Sequence, residues 1–284
     1  MLSASHFVTS DKELSWMQKS MLGGFTGTKN TSGTDWGEQM LNTVASKTIR
    51  HLFTQSESVD VSVRCFPSSK LLQGSIDSFK MSGRGLVIRR EFRTEEMSFE
   101  TDAVSLDFGS VLKGQIQLKQ PTQAIAQVVL TEDDINNSFK AELVRKRLEN
   151  LAIPALDELS GGQPISFTDV EVKLQPHNSL QLLAKADLPN QGLVPISMTS
   201  TLAVERRRRI LFENPQFDGE TVPESLREIS RTLTTAMAEI LNNMVDLDRF
   251  NLDGVTMRIN RLETQGKKLI FSGYAQIDHI PNNP

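Results

Sequence analysis

The sequence predicts an α+β fold in which a curved antiparallel β-sheet wraps around long amphipathic helices. Three observations carry this. Many apolar residues fall in runs with a period of two, the spacing of strands with one covered face. Three other segments repeat apolar residues at helical spacing. The order along the chain is strand-rich, helix, strand-rich, helix, hairpin, without the strand–helix alternation that a parallel sheet needs.

Residues 1–33 read as a flexible tail. The stretch GGFTGTKNTSGT at 23–34 is rich in small and polar residues, as linkers are. Ahead of it Leu14, Met17, Met21 and Leu22 fall at helical spacing beside Trp16, which fits either a short amphipathic helix or a loosely ordered terminus. The domain proper is expected over 34–284. Thr34 or Asp35 caps its first helix, whose stripe is Trp36, Met40, Leu41, Val44, Ile49, Leu52 and Phe53. VDVSVRCF then alternates cleanly, and further strands are expected at SIDSFKM, GLVIRR, EEMSFETDAVSLDF, QIQLK and TQAIAQVVL. Glycines 74, 83, 85, 109 and 114 punctuate them as turns or bulges require.

TEDDINNSF opens the second helix. Thr131 is a good N-cap with Asp134 three residues on, and the acidic first turn suits the helix dipole. Its apolar face holds Ile135, Phe139, Leu143 and Leu148. Strands return in PISFTDVEVKLQ, in SLQLLAKADL and in one long run over 193–212. The third helix is expected over 223–247, about 37 Å long. Two strands close the chain. VEVKLQPHNSLQLLAKADL and VTMRINRLETQGKKLIFSGYAQI share a shape, a strand, a polar turn and a second strand, and read as repeated long hairpins.

With 284 residues the chain can bury a sizeable core, and its net charge of −4 argues against a dedicated nucleic-acid binder. The single cysteine, Cys65, excludes an intrachain disulfide and reads as a small core residue. No 18 apolar residues run together, and the N-terminus lacks a basic region followed by an apolar stretch of secretory length. The expectation is a cytoplasmic protein, peripheral on a membrane if it meets one.

Stretches that approach motifs of catalysis or metal binding each lack a required residue. GGFTGTKN lacks the Gly-Lys-Ser/Thr ending of a phosphate loop. DLDRFNLDG places Phe250 and Met257 where a calcium loop needs acidic ligands. His6, His51, His177 and His279 have no ligand spacing, and there is no Gly-x-Ser-x-Gly. No enzyme class gains support, and no cofactor or metal is expected.

The third helix carries Leu226, Ile229, Leu233, Met237, Ile240, Leu241 and Met244 on one stripe. Such a stripe fits ordinary core packing. It also fits an apolar groove between helix and sheet that takes acyl chains, with methionine adapting to their shape. Periodicity alone leaves both open.

Resemblance bears on this choice. The stretch ESVDVSVRCFPSSKLLQGSIDSFKMSGRGLVIRREFRTEEMSFETDAVSLDFGSVLKG resembles the opening of the LmeA-like phospholipid-binding family. Its strand ending near Phe66-Pro67, its Leu71-Leu72-x-Gly74, its strand pair with Gly83 and Gly85 and its Leu112 to Gly114 turn carry the likeness. TEDDINNSF is similar to the helix that follows. ERRRRILFENPQF and DRFNLDGVTMRINRLETQGKKLIFSGYAQI resemble the version in oxygenic photosynthetic bacteria. The likeness covers roughly residues 36–280. It implies kinship to tubular lipid-binding domains, in which an antiparallel sheet wraps a long helix around lipid tails. It implies phospholipid or glycolipid as ligand and no catalytic residues. The expected lipid contacts are Phe139, Leu143 and the seven stripe residues of the third helix.

The run ERRRRI remains. On one continuous strand Arg206 and Arg208 would share a face with Leu202, Val204 and Ile210, which is costly in a dry interior. The middle of that strand is therefore expected at an edge or a tube mouth. There Arg206, Arg207, Arg208 and Arg209 can meet an anionic headgroup or membrane surface, or simply face water and protect an edge. Nucleic acid ranks third, because stacking aromatics are scarce. The leading reading is a non-catalytic protein that holds or shuttles lipid at a membrane. The alternative is a scaffold with a packed core that docks to an anionic membrane or partner through the basic strand.

Overall fold

The computed structural model describes residues 36–189, 191–249 and 254–280. The expected tail, its helix near Leu14 to Leu22 and the caps Thr34 and Asp35 lie outside them. The fold is α+β and its sheets are antiparallel.

Helix α1 (Trp36–Arg50) is followed by β1 (Ser58–Arg64), a turn of helix α2 (Ser69–Leu72), β2 (Ser75–Ile76), β3 (Ser78–Ile88), β4 (Phe92–Thr101) and β5 (Val104–Ser105). Then come α3 (Phe108–Leu112), β6 (Thr122–Thr131), α4 (Glu132–Lys140), α5 (Glu142–Arg145) and α6 (Asp157–Ser160). Strands β7 (Ser166–Leu174), β8 (Ser179–Leu188), β9 (Gly192–Glu205) and β10 (Arg209–Phe217) precede α7 (Arg227–Met244). Hairpin β11 (Val255–Gln265) and β12 (Lys268–Ile277) ends the fold.

Strands β1-β3-β4-β6-β12-β11 form a six-stranded sheet, and β10-β9-β8-β7 a four-stranded one. The two repeated hairpins of the sequence, β7–β8 and β11–β12, are both present, one in each sheet. Their ends are tied together. Asn178 and Thr264 exchange two bonds, at 3.0 and 2.9 Å, and the Thr264 hydroxyl donates to the Gln175 carbonyl at 2.7 Å.

The largest core lies where α7 packs on the four-stranded sheet. Leu182, Leu188, Val194 and Met198 meet Leu233, Met237 and Leu241 there, all almost wholly buried. A second core forms beneath α1, with Leu41, Ala45, Val63 and Cys65. Cys65 is a core residue: its thiol donates to the Ser75 carbonyl at 3.4 Å, and burial, then the Asp77 charge, pushes its pKa up.

Three expectations about elements are corrected. The third helix is shorter than expected. A 3-10 turn (Glu224–Leu226) leads into an α-helix of 18 residues, about 27 Å long, and a separate 3-10 turn (Leu247–Arg249) follows. The second helix stops at Lys140, because Ala141 takes an extended conformation with ψ 139°, so Leu143 stands on the short α5. Its N-terminus is as expected: Thr131 and Asp134 form a reciprocal capping box.

The third correction concerns the arginines. The run over 193–212 is not one strand. Arg206 and Arg207 have φ of 48° and 60°, and the Arg208 amide donates to the Glu205 carbonyl at 3.1 Å. Two successive left-handed residues make the type I′ geometry that suits a hairpin's twist. Arginine is uncommon there, so the turn carries no Gly or Asn signal in the sequence. The alternation that put Arg206 and Arg208 on an apolar face does not apply.

Candidate functional site

One face of the six-stranded sheet bounds two apolar cavities. Its central strands carry small side chains on that face: Ala124 and Ala126 on β6, with Ala275 opposite Ala124 on β12. The other face is turned to water, where Ile125 and its cross-strand neighbour Tyr274 are exposed. At Gly273 a Cβ would fall 1.9 Å from the Arg258 carbonyl oxygen, so β11 can approach β12 at its bulge only because that residue is glycine.

The first cavity, about 510 Å³, lies between this face and α1. Leu41, Ala45, Ile49 and Leu52 roof it, and Met81, Met97, Phe99 and Met257 line the sheet side. The second, about 420 Å³, lies where both sheets meet beneath α4 and α5. Ile135, Phe139 and Leu143 cover it; Val128 and Phe271 come from the six-stranded sheet; Leu202 and Phe212 come from the four-stranded one. Both volumes are in the range of ligand pockets, about 300–1,000 Å³.

Charge enters the second cavity in a compensated form. Arg93 sits in its wall and pairs with Asp134 at 2.8 Å and with Glu57 and Glu95 at 3.0 Å. Those bonds, Asp134 first, raise the Arg93 pKa further above its ordinary value.

Of the nine apolar residues expected at the site, Phe139, Leu143, Leu241 and Met244 line the second cavity. Leu233 and Met237 are 0 % exposed in the packed core against the four-stranded sheet, and Leu226, Ile229 and Ile240 pack on that same core. The helix lies on the sheet and is not held apart from it along its length. The first cavity was not foreseen. Its signal was the alternation of β3 and β4 and the Ala-x-Ala of β6, which mark a covered face without saying what covers it.

The four arginines divide. Arg208 pairs with Asp248 at 2.5 Å, and Arg258 binds the same carboxylate at 2.7 Å. Arg209 pairs with Glu205 at 3.0 Å and donates to the Asn242 carbonyl at 2.8 Å. Arg207 is exposed, donates to Asn260 and lies over the Tyr274 ring at 5.7 Å. Arg206 is exposed at the tip.

A scan of protein families matches residues 33–273 to one described as LmeA-like phospholipid-binding. The chain belongs to the LmeA-like phospholipid-binding family. The family's description is of phospholipid binding. Neither the curated proteins nor the solved structures yield a match. Among the described residues no His, Cys, Asp or Glu cluster has the makings of a metal site. No described helix is long and apolar enough to cross a membrane.

Proposed function

We propose that this member of the LmeA-like family holds the acyl chains of a phospholipid or glycolipid along the inner face of its six-stranded sheet and carries them at a membrane surface. The observation that supports this most directly is the pair of apolar cavities against that face. A methylene occupies roughly the space of a liquid water, about 30 Å³, so each cavity has room for a chain of about 15 carbons. Burying such a chain at about 0.8 kcal/mol per methylene is worth on the order of 10 kcal/mol before ordering costs.

Protein isolated from its own cells should carry co-extracted lipid on mass spectrometry, and the emptied protein should take up a fluorescent lipid. Failure of both would overturn the proposal. Binding to anionic liposomes without extractable lipid would favour the packed scaffold instead.

For the membrane contact we propose the tip of the β9–β10 hairpin. Arg206 and Arg207 are exposed there, Arg207 while held by Asn260 and Tyr274, and a basic residue near an anionic bilayer contributes about 1 kcal/mol. Arg208 and Arg209 are engaged in holding the hairpin. Replacing Arg206 by Glu should weaken flotation with anionic liposomes and leave thermal stability nearly unchanged. Unaltered flotation would assign the contact elsewhere.

A further inference from the structure

We infer that the two cavities are one trough divided by swinging methionines, and that Met97 and Met257 let it take a single apolar chain of about 30 carbons, roughly twice what either cavity holds. This rests on the lipid-binding reading above and adds the chain length that the same site accepts.

The cavities abut. Ile88, Met97 and Met257 belong to the walls of both, as does Arg89 of the β3–β4 turn. The three apolar residues come from β3, β4 and β11. In the six-stranded sheet β6 and β12 lie between β4 and β11. Met97 and Met257 therefore stand on opposite flanks of that central pair.

The floor between them is low. Met97 lies opposite Val128 on β6, and Met257 opposite Ala275 on β12. Between those two rows comes the pair Ala126 and Gly273, both in the wall of the second cavity. Ala124 and Ala275 form the next pair on the same face, and Met257 packs against this alanine cluster. Two successive rows of the floor thus carry no more than a methyl group. The division is made by side chains from the flanking strands rather than by bulk rising from the floor.

Both dividing methionines are half-buried, whereas Met198 and Met237 of the packed core are 0 % exposed. A wall residue with a cavity on either side borders open space, so its neighbours leave it room to change rotamer. Methionine is unbranched, with three rotatable bonds, and swings at little cost where it is not confined. With the partition closed the site holds two separate short chains. With it open, the cavities of about 510 and 420 Å³ become one space for a single long chain. A chain too long for one cavity gains from every further methylene it buries, which favours displacing the methionines over leaving its end in water.

The test uses the full chain, emptied of lipid, with occupancy read by native mass spectrometry. The probes are a saturated fatty acid of about 16 carbons, sized to one cavity, and one of about 28 carbons, sized to both. The expected result is two short chains per protein, and one long chain that displaces both. In the double variant Met97→Ile with Met257→Ile, similar in volume but stiff at χ1, the long chain should leave one short chain bound. Met97→Ala should act in the opposite direction and speed uptake of the long chain several-fold, which general damage to the fold would not do. A long chain that leaves one short chain bound in the parent, a single short chain per parent molecule, or isoleucine and alanine variants that both behave as the parent does would each overturn the inference while leaving the cavities as a lipid site. A parent protein that takes up neither probe would overturn the lipid-binding reading itself.

Discussion

Asp248 receives two guanidinium groups, Arg208 from the β9–β10 turn and Arg258 from β11, and so joins segments far apart in the chain. Arg208, then Arg258, holds its carboxyl below the usual value of 3.8. The folded protein thus takes up that proton less readily than the unfolded chain does. The stabilisation is complete above the ordinary carboxylate pKa and is lost as pH falls through the lower folded value. Asp248→Asn is accordingly expected to lower the melting temperature at pH 7, with the difference from the parent shrinking as pH falls below the ordinary carboxylate pKa. A difference that persists undiminished in acid would show that the contact is not ionic. The same residues explain why arginine was misplaced by strand alternation. A charge that looks unburiable on paper is accommodated by a partner 40 positions away, which no local pattern reports.

Three helices each lend an asparagine to an outer strand. Asn42 of α1 accepts from the Val63 amide at 2.6 Å, Asn136 of α4 from the Val172 amide at 2.7 Å, and Asn242 near the end of α7 from the Phe212 amide at 2.6 Å. β1, β7 and β10 are the edges so covered, and the fourth edge, β11, gives its Ile259 amide to the Arg207 carbonyl at 2.6 Å. Asn242→Ala leaves a backbone N–H without an acceptor at a residue only 7 % exposed, which costs about 1–3 kcal/mol. Urea unfolding should show that loss, and Asn242→Leu should not recover it, since shape is not what the amide lacks. Equal stability of parent and Asn242→Ala would remove the asparagine from this role. In the sequence these asparagines sit in LNTVA, DINNSF and ILNNM, where no motif singles them out. Amphipathic periodicity ranks them by hydropathy, and only the placement of the strand gives them a use.

At the scale of the whole molecule, two kinds of apolar surface coexist. The interface of α7 with the four-stranded sheet is packed, whereas the six-stranded sheet leaves space against its covered face. Substitutions should separate them. Met237→Ala, in the packed part, is expected to cost about 2–5 kcal/mol of stability and to leave the lipid held per folded molecule unchanged. Met97→Trp, on the wall shared by both cavities, is expected to reduce lipid held with a smaller effect on stability. The reverse outcome would exchange the roles assigned to the two sheets. The α+β class, both long hairpins, the Thr131 cap and the family were legible before any coordinates, because each rests on local spacing or on motif order. Phe139, Leu143, Leu241 and Met244 were legible as apolar helix positions that reach a cavity. Leu233 and Met237 carry the same pattern and do not, since a stripe records that a face is covered and not how closely. The anchored outer strands have one more consequence. Each outer strand commits at least one backbone amide to its own molecule, at Val63, Val172, Phe212 and Ile259, so a second copy that extended a sheet along its full length would first have to break an internal bond.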